Sequence, residues 1–391
     1  MRVLGLLSGT SHDGIDVTVV DFSETGGAVR GTVLHEGSVP YDPTLRARLV
    51  AALPPAQTTL AEVCELDTLI GQAFADVAED AAASVGGVDA VCTHGQTVYH
   101  WVEDGHARGT LQIGQPAWIA ERVGAPVISD VRIRDITAGG HGAPLVSFLD
   151  ELLLRGRAGT SAALNLGGIA NITIVGDSAG TGAGAISAYD VGPANALVDA
   201  VIAKYGLNPL GYDEDARIAL SGDVDDDLLA SLLADPYYAL PAPKSTGKEH
   251  FHLDYVRGHA SSLGRDVRVT DLVRTLTELT VRTVANDVRA AGIGFLAVSG
   301  GGCHNPLIME GLRAALPDTE VVLADELGAS ADNKEAILFA LIGWCTMHGV
   351  PAVIPGGTGA REPRILGTIT PGGGPLRMPE PVPSVRSLTL D

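Results

Sequence analysis

The chain has 391 residues, enough for two domains that each bury a core of their own. Its 46% hydrophobic content excludes a disordered chain, and its formal net charge of -21 argues against binding to nucleic acids or to membrane surfaces. The four cysteines are widely separated, so we expect neither a zinc site nor a disulfide framework, but reduced, buried thiols in a cytoplasmic protein.

The first half of the sequence predicts an alternation of strands and helices. Val3–Leu7 and Ile15–Asp21 are predicted strands, joined by a turn rich in Gly, Ser and Thr. Helical periodicity runs from Leu60 to Ala83, and a short buried strand is predicted at Val88–Cys92. Pro116 is well placed to begin a helix.

The second half repeats the opening pattern after a basic, glycine-rich stretch at residues 155–161. Ala162–Leu166 and Ile172–Val175 are predicted strands on either side of a glycine turn. Two hairpins of this kind, one opening each half, suggest a duplicated α/β architecture. We therefore predict domains at 1–157 and 158–391, with a C-terminal segment able to pack back on the first domain.

Further predicted elements of the second half include two helices, a strand and a tail. Thr270 is a predicted N-cap for a long amphipathic helix that Gly292 closes. Phe295–Ser299 is a predicted buried strand, and Ala331–Met347 is a predicted apolar helix. The tail from Pro371, rich in Pro and Gly, is expected to be loosely held.

The turn between the first two predicted strands carries the strongest local signal for chemistry. Its residues, Ser8 to Asp16 (SGTSHDGID), combine glycines and hydroxyls that let backbone N–H groups approach phosphate oxygens, with carboxylates that can hold magnesium. It is not a Walker loop, because no Gly-Lys-Ser/Thr sequence follows. An ordinary hairpin turn has a similar composition, so both interpretations stay open on composition alone.

Two further glycine turns follow predicted strands, Gly167-Gly168 and Gly300-Gly301-Gly302. Strand ends in open α/β sheets are where ligands tend to bind. Each turn alone is a weak signal, but three in two duplicated halves fit a nucleotide held between the domains.

Asp190 is the candidate general base. It ends a predicted strand, Ala185–Tyr189, and precedes a predicted helix that begins at Ala194. A carboxylate in this position is exposed and rigidly aimed, which suits a general base. A helix N-cap explains the same residue equally well, so the residues alone leave both interpretations open.

Other polar groups give weaker signals. Arg132, Arg134 and Asp135 form a charged cluster whose arginines can fork onto a carboxylate or phosphate, although such a cluster is more often a solvated surface. The histidines at 94, 100 and 106 are interpreted as polar loop residues, with His94 alone near the predicted cleft. Residues 244–248 (KSTGK) are interpreted as a charged surface loop, able to close over a substrate.

Taken together, these motifs resemble the anhydro-N-acetylmuramic acid kinase family of the hexokinase–actin superfamily. The matching segments occur in family order over nearly the whole chain: Ser8–Asp16, His94–Thr97, Leu111–Gly114, Arg134–Asp135 with Gly139–Leu145, Leu164–Thr173, Asp190–Asn195, Leu240–Gly247 and Gly300–Leu307. The resemblance implies an α/β fold of two duplicated actin/hexokinase-like domains with an ATP and sugar cleft between them.

The resemblance also implies a reaction. The family hydrolyses the 1,6-anhydro bond of a cell-wall sugar and phosphorylates the freed 6-oxygen from ATP, giving N-acetylmuramic acid 6-phosphate in peptidoglycan recycling. Asp190 would take a proton from the attacking water. The resemblance assigns the nucleotide and its Mg²⁺ to Gly9, Thr10, Ser11, His12, Asp13, Gly14, Ile15, Asp16, Gly167, Gly168, Asn171, Gly300, Gly301 and Gly302, with Mg²⁺ near Asp13 or Asp16. It assigns the sugar to Thr97, Arg134 and His141.

Several positions depart from the family pattern. Val191 and Ala194 stand where Thr and Gly are usual, His12 replaces an apolar residue, and His141 replaces Gln. His141 lies in a loop on the substrate side, so the identity of the sugar stays open. The alternatives are a kinase for another anhydro sugar such as levoglucosan, a non-catalytic sugar-binding protein, and a phosphatase of the same superfamily. A homodimer is also left open.

Overall fold

The computed structural model describes residues 1–9, 11–177, 186–242, 244–331 and 333–391. Contacts divide the chain into two compact units. Unit 1 comprises Met1–Leu153, Leu327–Ala329 and Asn333–Asp391, and unit 2 comprises Leu154–Glu326 and Ser330–Asp332. The predicted domain boundary after residue 157 lies close to the point where the chain first passes from unit 1 to unit 2. The C-terminal segment belongs to unit 1.

The strands are numbered in chain order. They are β1 (Arg2–Ser8), β2 (Gly14–Thr25), β3 (Ala28–Pro40), β4 (Ala90–Glu103), β5 (His106–Ile113), β6 (Val127–Ser129), β7 (Thr160–Leu166), β8 (Ile169–Val175), β9 (Ile186–Pro193), β10 (Ile293–Ser299), β11 (Glu320–Leu323), β12 (Thr368–Thr370) and β13 (Ser387–Leu390).

The α-helices are numbered in the same way. They are α1 (Pro43–Ala52), α2 (Leu60–Ser84), α3 (Pro116–Val123), α4 (Ile133–Thr137), α5 (Ser147–Leu154), α6 (Asn195–Tyr205), α7 (Asp226–Leu233), α8 (Leu253–Ser262), α9 (Val269–Ala290), α10 (Pro306–Ala315), α11 (Lys334–Met347) and α12 (Pro355–Thr358). Short 3₁₀ turns lie at Glu214–Ala216, Ala219–Ser221, Pro236–Ala239, Gly301–His304 and Ala324–Leu327.

Both units are built on the same five-strand pattern. The sheet of unit 1 contains the order β6-β4-β1-β2-β3, and the sheet of unit 2 has the order β11-β10-β7-β8-β9. In each sheet three consecutive strands, β1 to β3 or β7 to β9, are antiparallel neighbours. Two more, β4 and β6 or β10 and β11, are added parallel beyond the first of them. The duplication predicted from two short hairpins therefore extends to the whole sheet. Unit 1 adds β5, β12 and β13.

The central strand β1 of unit 1 is buried on both faces. Along β1, Val3 and Leu7 join the hydrophobic cluster that contains α11, whereas Leu4 and Leu6 join the cluster that contains α2. This is the alternation expected of a strand covered on both sides.

Small residues let α11 approach β1 and β4 closely. A Cβ on Gly5 would meet the backbone oxygen of Ala336 and lie 2.6 Å from the nitrogen of Ala340, and a Cβ on Gly343 would lie 2.8 Å from the Cβ of Cys92. Side chains at these glycines would have to push the helix away from the sheet. The abundance of Gly and Ala in the sequence is thus explained, at this contact, by backbone approach.

Several predicted elements need correction. The strand predicted at Val88–Cys92 does not end at the polar residues 93–97 that follow it, because β4 continues to Glu103 by pairing with β5. Thr270 lies inside α9, which begins at Val269 after Arg268 and has no side-chain cap. The end of the C-terminal tail is not loosely held, since β13 pairs with β3.

The cysteines also differ in part from the expectation. Cys92, Cys303 and Cys345 are buried cysteines outside any disulfide, but Cys64 is exposed. Across the described ranges of the chain, no helix combines the length and the apolar character needed to span a bilayer.

Candidate active site

Asp190 lies in β9 of unit 2, opposite Asn171 of the neighbouring strand β8. The backbone there is held from both sides. The N–H of Asp190 donates to the carbonyl of Lys244 at 3.0 Å, and the hydroxyl of Tyr237 donates to the carbonyl of Asp190 at 2.6 Å. The main chain that carries the carboxylate is therefore fixed.

The carboxylate of Asp190 receives two hydrogen bonds, both on the same oxygen. The hydroxyl of Ser245 and the backbone N–H of Thr246 each donate to Oδ2 at 3.0 Å. Within the described part of the chain no hydrogen bond reaches Oδ1. One oxygen is thus held, and the other is available to a water or a substrate.

The environment of Asp190 raises the pKa of its carboxyl above the value that an aspartate has in water. Burial raises the pKa of the carboxyl, the hydrogen bonds from Thr246 and Ser245 oppose this shift, and the charge of Glu249 adds to it. A half-buried carboxyl with a raised pKa is the form that general bases take, because it binds a proton more strongly than a free aspartate.

The alternative interpretation of Asp190 as a helix cap is wrong. Helix α6 begins at Asn195, its N-cap residue is Ala194, and that position makes no side-chain cap hydrogen bond. The carboxylate of Asp190 bonds instead to residues 245 and 246, far along the chain. The feature that made the N-cap plausible, an acidic residue shortly before a helix, does not lead to capping here.

The interpretation of residues 244–248 as a charged surface loop is wrong for its first residue. Only 6% of the Lys244 side chain is exposed, and its ammonium lies 3.9 Å from the carboxylate of Asp287 in α9. Ser245 and Thr246 are the donors that hold Asp190, and sequence reasoning missed them together with Tyr237. The available signal was the family match over Leu240–Gly247.

The glycine turns of unit 2 come together around the start of α6. The carbonyl of Gly167 accepts the N–H of Asn195 at 3.0 Å, and the carbonyl of Gly168 accepts the N–H groups of residues 194 and 196 at 3.0 Å. The side chain of Asn195 donates to the carbonyl of Leu166 at 3.2 Å. A Cβ on Gly302 would lie 2.7 Å from the Cβ of Leu166, so the second turn packs against the first.

A cavity of about 560 Å³ opens beside these turns within unit 2. Its volume lies in the range of small-molecule sites. Burial raises the pKa of the Asp199 carboxyl to about 6, against the opposing charge of Lys248. The cavity is lined by Asn195, Val198, Asp199, Tyr212, Asp213, Glu214, Asp215, Gly301, His304 and Asn305. Four carboxylates in this lining disfavour phosphate and favour groups that donate hydrogen bonds.

The predicted phosphate turn joins β1 to β2 in unit 1. The hydroxyl of Ser11 donates to Asp13 at 2.6 Å, and the N–H of His12 donates to the carbonyl of Gly9 at 3.3 Å. Arg46 donates to the carbonyl of His12 at 2.8 Å, and His12 itself has a positive φ of 54°. The turn is therefore stabilised by its own side chains and by α1.

The ends of this turn lie in the sheet. The hydroxyl of Ser8 donates to the carbonyl of Gly14 at 2.7 Å. Ile15 is buried in the core, so it can offer only its backbone to a ligand, and Asp16 is half-buried on β2. Thr10, predicted to bind phosphate with its neighbours, lies outside the described residues.

His94 is a buried residue of β4 and not a polar loop residue. Arg132 donates from Nε to Nε2 of His94 at 2.7 Å, so the ring proton lies on Nδ1, which faces the carbonyl of Gly95 at 3.0 Å. Burial, and then the charge of Arg132, holds the pKa of His94 well below its usual value. The ring is neutral at physiological pH and serves as a buried acceptor for the arginine.

The interpretation of the 132–135 cluster as a solvated surface is wrong for Asp135. This residue is fully buried and accepts hydrogen bonds from the N–H of Gly142 and the hydroxyl of Thr358, each at 2.7 Å. His141 is exposed, and its N–H donates to the carbonyl of Thr358 at 2.9 Å. Asp135 therefore fastens the loop that presents His141, while Arg134 is exposed.

The predicted sugar residues of unit 1 lie on and around β4. Thr97 is half-buried, and its hydroxyl accepts a hydrogen bond from Gln112 of β5 at 3.0 Å. His100, three residues further along β4, is not in a loop either. Burial lowers the pKa of His100, and positive charge on Arg132 and His141 lowers it further. The hairpin and the loop at His141 thus present polar groups in the same part of unit 1.

The duplicated sheets define the class of protein. Two units with one five-strand order, each carrying a glycine turn between its first two strands, form the predicted α/β fold of duplicated actin/hexokinase-like domains. Comparisons with known proteins then identify the family. The model of the family "Anhydro-N-acetylmuramic acid kinase" matches residues 1–372.

Full-length relatives agree with this match. A protein of Streptomyces coelicolor named anhydro-N-acetylmuramic acid kinase is 50% identical over 97% of this chain and 96% of its own length. A relative of the same name from Streptomyces avermitilis is 51% identical over 97% of each chain. The chain belongs to the anhydro-N-acetylmuramic acid kinase family, and the predicted enzyme class, a kinase, is confirmed.

Similarity to solved structures is more distant. An activator of 2-hydroxyisocaproyl-CoA dehydratase from Clostridium difficile with bound ADPNP has a TM-score of 0.44 and 13% identity, over 88% of this chain and 94% of that chain.

Proposed function

We propose that the chain is an ATP-dependent kinase that hydrolytically opens the 1,6-anhydro ring of anhydro-N-acetylmuramic acid and phosphorylates its 6-oxygen. The product is N-acetylmuramic acid 6-phosphate, formed in the cytoplasm during peptidoglycan recycling. The observation that carries the proposal, within the family assignment, is the carboxylate of Asp190: half-buried, held through one oxygen, and open at the other.

Asp190 acts as the general base on water. Its open Oδ1 takes a proton as the water oxygen bonds to the anomeric carbon of the sugar. The bond between that carbon and the 6-oxygen breaks, and the 6-oxygen bonds to the γ-phosphorus of ATP while ADP leaves. The raised pKa of Asp190 makes it a stronger base than a free aspartate, and its fixed backbone keeps the oxygen aimed.

Unit 2 holds the nucleotide through its glycine turns, Gly167-Gly168 and Gly300–Gly302, with Asn171 on β8. The acidic cavity beside them suits the nucleoside end of ATP, because its carboxylates accept hydrogen bonds from hydroxyl and amino groups and repel phosphates. The phosphates are then directed to the turns, where glycines let the backbone approach them closely.

Unit 1 holds the phosphates and the sugar. The turn from Gly9 to Asp16 contributes backbone N–H groups and hydroxyls. Asp13 and Asp16 fit Mg²⁺, which prefers oxygen ligands and is commonly bound by one or two carboxylates together with substrate phosphates and water. When bound with ATP, the ion neutralises charge on the transferred phosphoryl group. Thr97, Arg134 and His141 contact the sugar, and the exposed arginine suits its lactyl carboxylate.

The variant Asp190→Asn tests this proposal. It keeps the size of the side chain and removes the base, so turnover should fall by about 10²–10⁴-fold while ATP affinity stays close to normal. Asp254→Asn is the matched control: Asp254 is an exposed aspartate of the same unit, in an ion pair with Arg257. Near-normal turnover in Asp190→Asn, or an equal loss in the control, would refute the assignment of the base.

A further inference from the structure

Three consecutive residues, Lys244, Ser245 and Thr246, contact Asp190. The carbonyl of Lys244 accepts the backbone N–H of Asp190, and the next two residues donate to its Oδ2, all at 3.0 Å. We call residues 244–246 the clamp. It holds both the main chain and the side chain of Asp190, so rotation of the carboxylate would break two hydrogen bonds.

We propose that Ser245 is a positioning residue, whose hydroxyl orients Asp190 so that Oδ1 meets the attacking water. This inference rests on the proposed role of Asp190 as the base. Both donors of the clamp bind Oδ2, which leaves Oδ1 as the oxygen available to water. Ser245 is the one of these two donors that a substitution can remove, because the other is a backbone N–H.

The side chain of Lys244 anchors the clamp to the body of unit 2. Only 6% of this side chain is exposed, and its ammonium lies 3.9 Å from the carboxylate of Asp287 in α9. The same ammonium lies 5.0 Å from the ring centroid of Tyr237 and 5.8 Å from that of Tyr189. Tyr237 also donates to the carbonyl of Asp190, so the anchor and the base share a neighbour.

The groups around Asp190 predict how its pKa changes when the hydroxyl of Ser245 is removed. Glu249, which follows the clamp, disfavours ionisation, and Tyr237 interacts with the charge of Asp190. Tyr237 in turn lies near Tyr189, Asp287 of α9 and the Lys244 ammonium. The hydroxyl of Ser245 favours the ionised form and opposes the effect of burial. Its removal raises the pKa of Asp190, so activity is lost at a higher pH as the solution is acidified.

The experiment compares Ser245→Ala with Ser245→Thr in an ATP-dependent assay of sugar phosphorylation over pH. Ser262→Ala is the matched control, since its hydroxyl also makes one hydrogen bond, to the carbonyl of His259, on the same unit. We expect kcat to fall roughly 10-fold to 100-fold in Ser245→Ala, with little change in the KM for ATP. The acidic limb of the kcat profile moves to higher pH, and Ser245→Thr restores both.

The possible outcomes separate this inference from the proposed function. Unchanged kcat and an unmoved acidic limb in Ser245→Ala, with Asp190→Asn inactive, would overturn the positioning role and leave the base assignment intact. A fall in kcat without movement of the limb, or an equal fall in Ser262→Ala, would also overturn it. Normal turnover in Asp190→Asn would remove the base on which both rest.

Discussion

Gly300 is the glycine whose replacement should have the clearest consequence. Its backbone has φ 80° and ψ 162°, a region that is essentially restricted to glycine. A Cβ there would meet Oδ1 of Asn165 and lie 3.0 Å from both the nitrogen and the carbonyl carbon of Leu166. Gly300→Ala therefore combines backbone strain with a clash against backbone atoms that cannot rotate away.

The expected cost follows from these two effects. Backbone strain contributes about 2 kcal/mol and overpacking about 2 kcal/mol more, so the free energy of unfolding should fall by about 4 kcal/mol. Gly292→Ala is the matched control, because Gly292 also has a positive φ, 62°, but an added Cβ there would meet nothing within 4 Å. Strain alone should cost it about 1 kcal/mol.

Thermal unfolding and ATP kinetics measure the difference. About 3 kcal/mol between the variants corresponds to a Tm difference of about 6–12 °C for a unit of this size. The KM for ATP should rise in Gly300→Ala and stay unchanged in Gly292→Ala. Of these two glycines, only Gly300 lies in a turn that is proposed to hold the nucleotide. Equal Tm values in the two variants would refute the steric argument, and an unchanged KM in Gly300→Ala would refute the assignment of the turn.

Two further substitutions test electrostatics and packing. The pKa of Asp199 is raised to about 6, so its ionised form destabilises the folded state above about pH 6 and has no effect below about pH 4. Asp199→Asn should thus increase the free energy of unfolding by about 2 kcal/mol at pH 8 and by nothing at pH 3, measured by denaturant titration; a gain independent of pH would contradict this. Gly5→Ala should cost about 3 kcal/mol or more by forcing α11 from β1, whereas Gly37→Ala, whose added Cβ would make only ordinary contacts of 3.6 Å or longer, should cost less than about 1 kcal/mol. Similar chemical denaturation of these two variants would contradict the close approach of α11.

Elements with a strong periodic pattern could be predicted from the sequence. The apolar spacing from Leu60 gave a helix whose end, Ser84, differs by one residue from the prediction. The strand β4 was missed beyond Cys92 because a polar run, residues 93–97, follows there, and because its outer half is stabilised by β5, a partner that only tertiary structure reveals. A local sequence pattern reports only the periodicity of its own segment, and pairing with a distant strand can override that preference.

The same limit applies to the site. The position of Asp190 near a strand end followed from local sequence, but its donors lie 55 and 56 residues further along the chain. Buried Asp135 accepts a hydrogen bond from Thr358, which is 223 residues away. No local signal distinguishes such carboxylates from caps or from a solvated surface, so the family resemblance was needed to choose between the interpretations.

The most direct test of the account is the acceptor preference of the kinase. Purified protein with ATP and Mg²⁺ is supplied separately with anhydro-N-acetylmuramic acid, with levoglucosan and with open-ring N-acetylmuramic acid, and the sugar phosphate formed is measured by mass spectrometry. The account predicts that anhydro-N-acetylmuramic acid is phosphorylated fastest, with a gain in mass that corresponds to one water and one phosphoryl group. Preference for the open-ring sugar would contradict the coupled opening of the ring by water activated at Asp190, and preference for levoglucosan would contradict the proposed substrate.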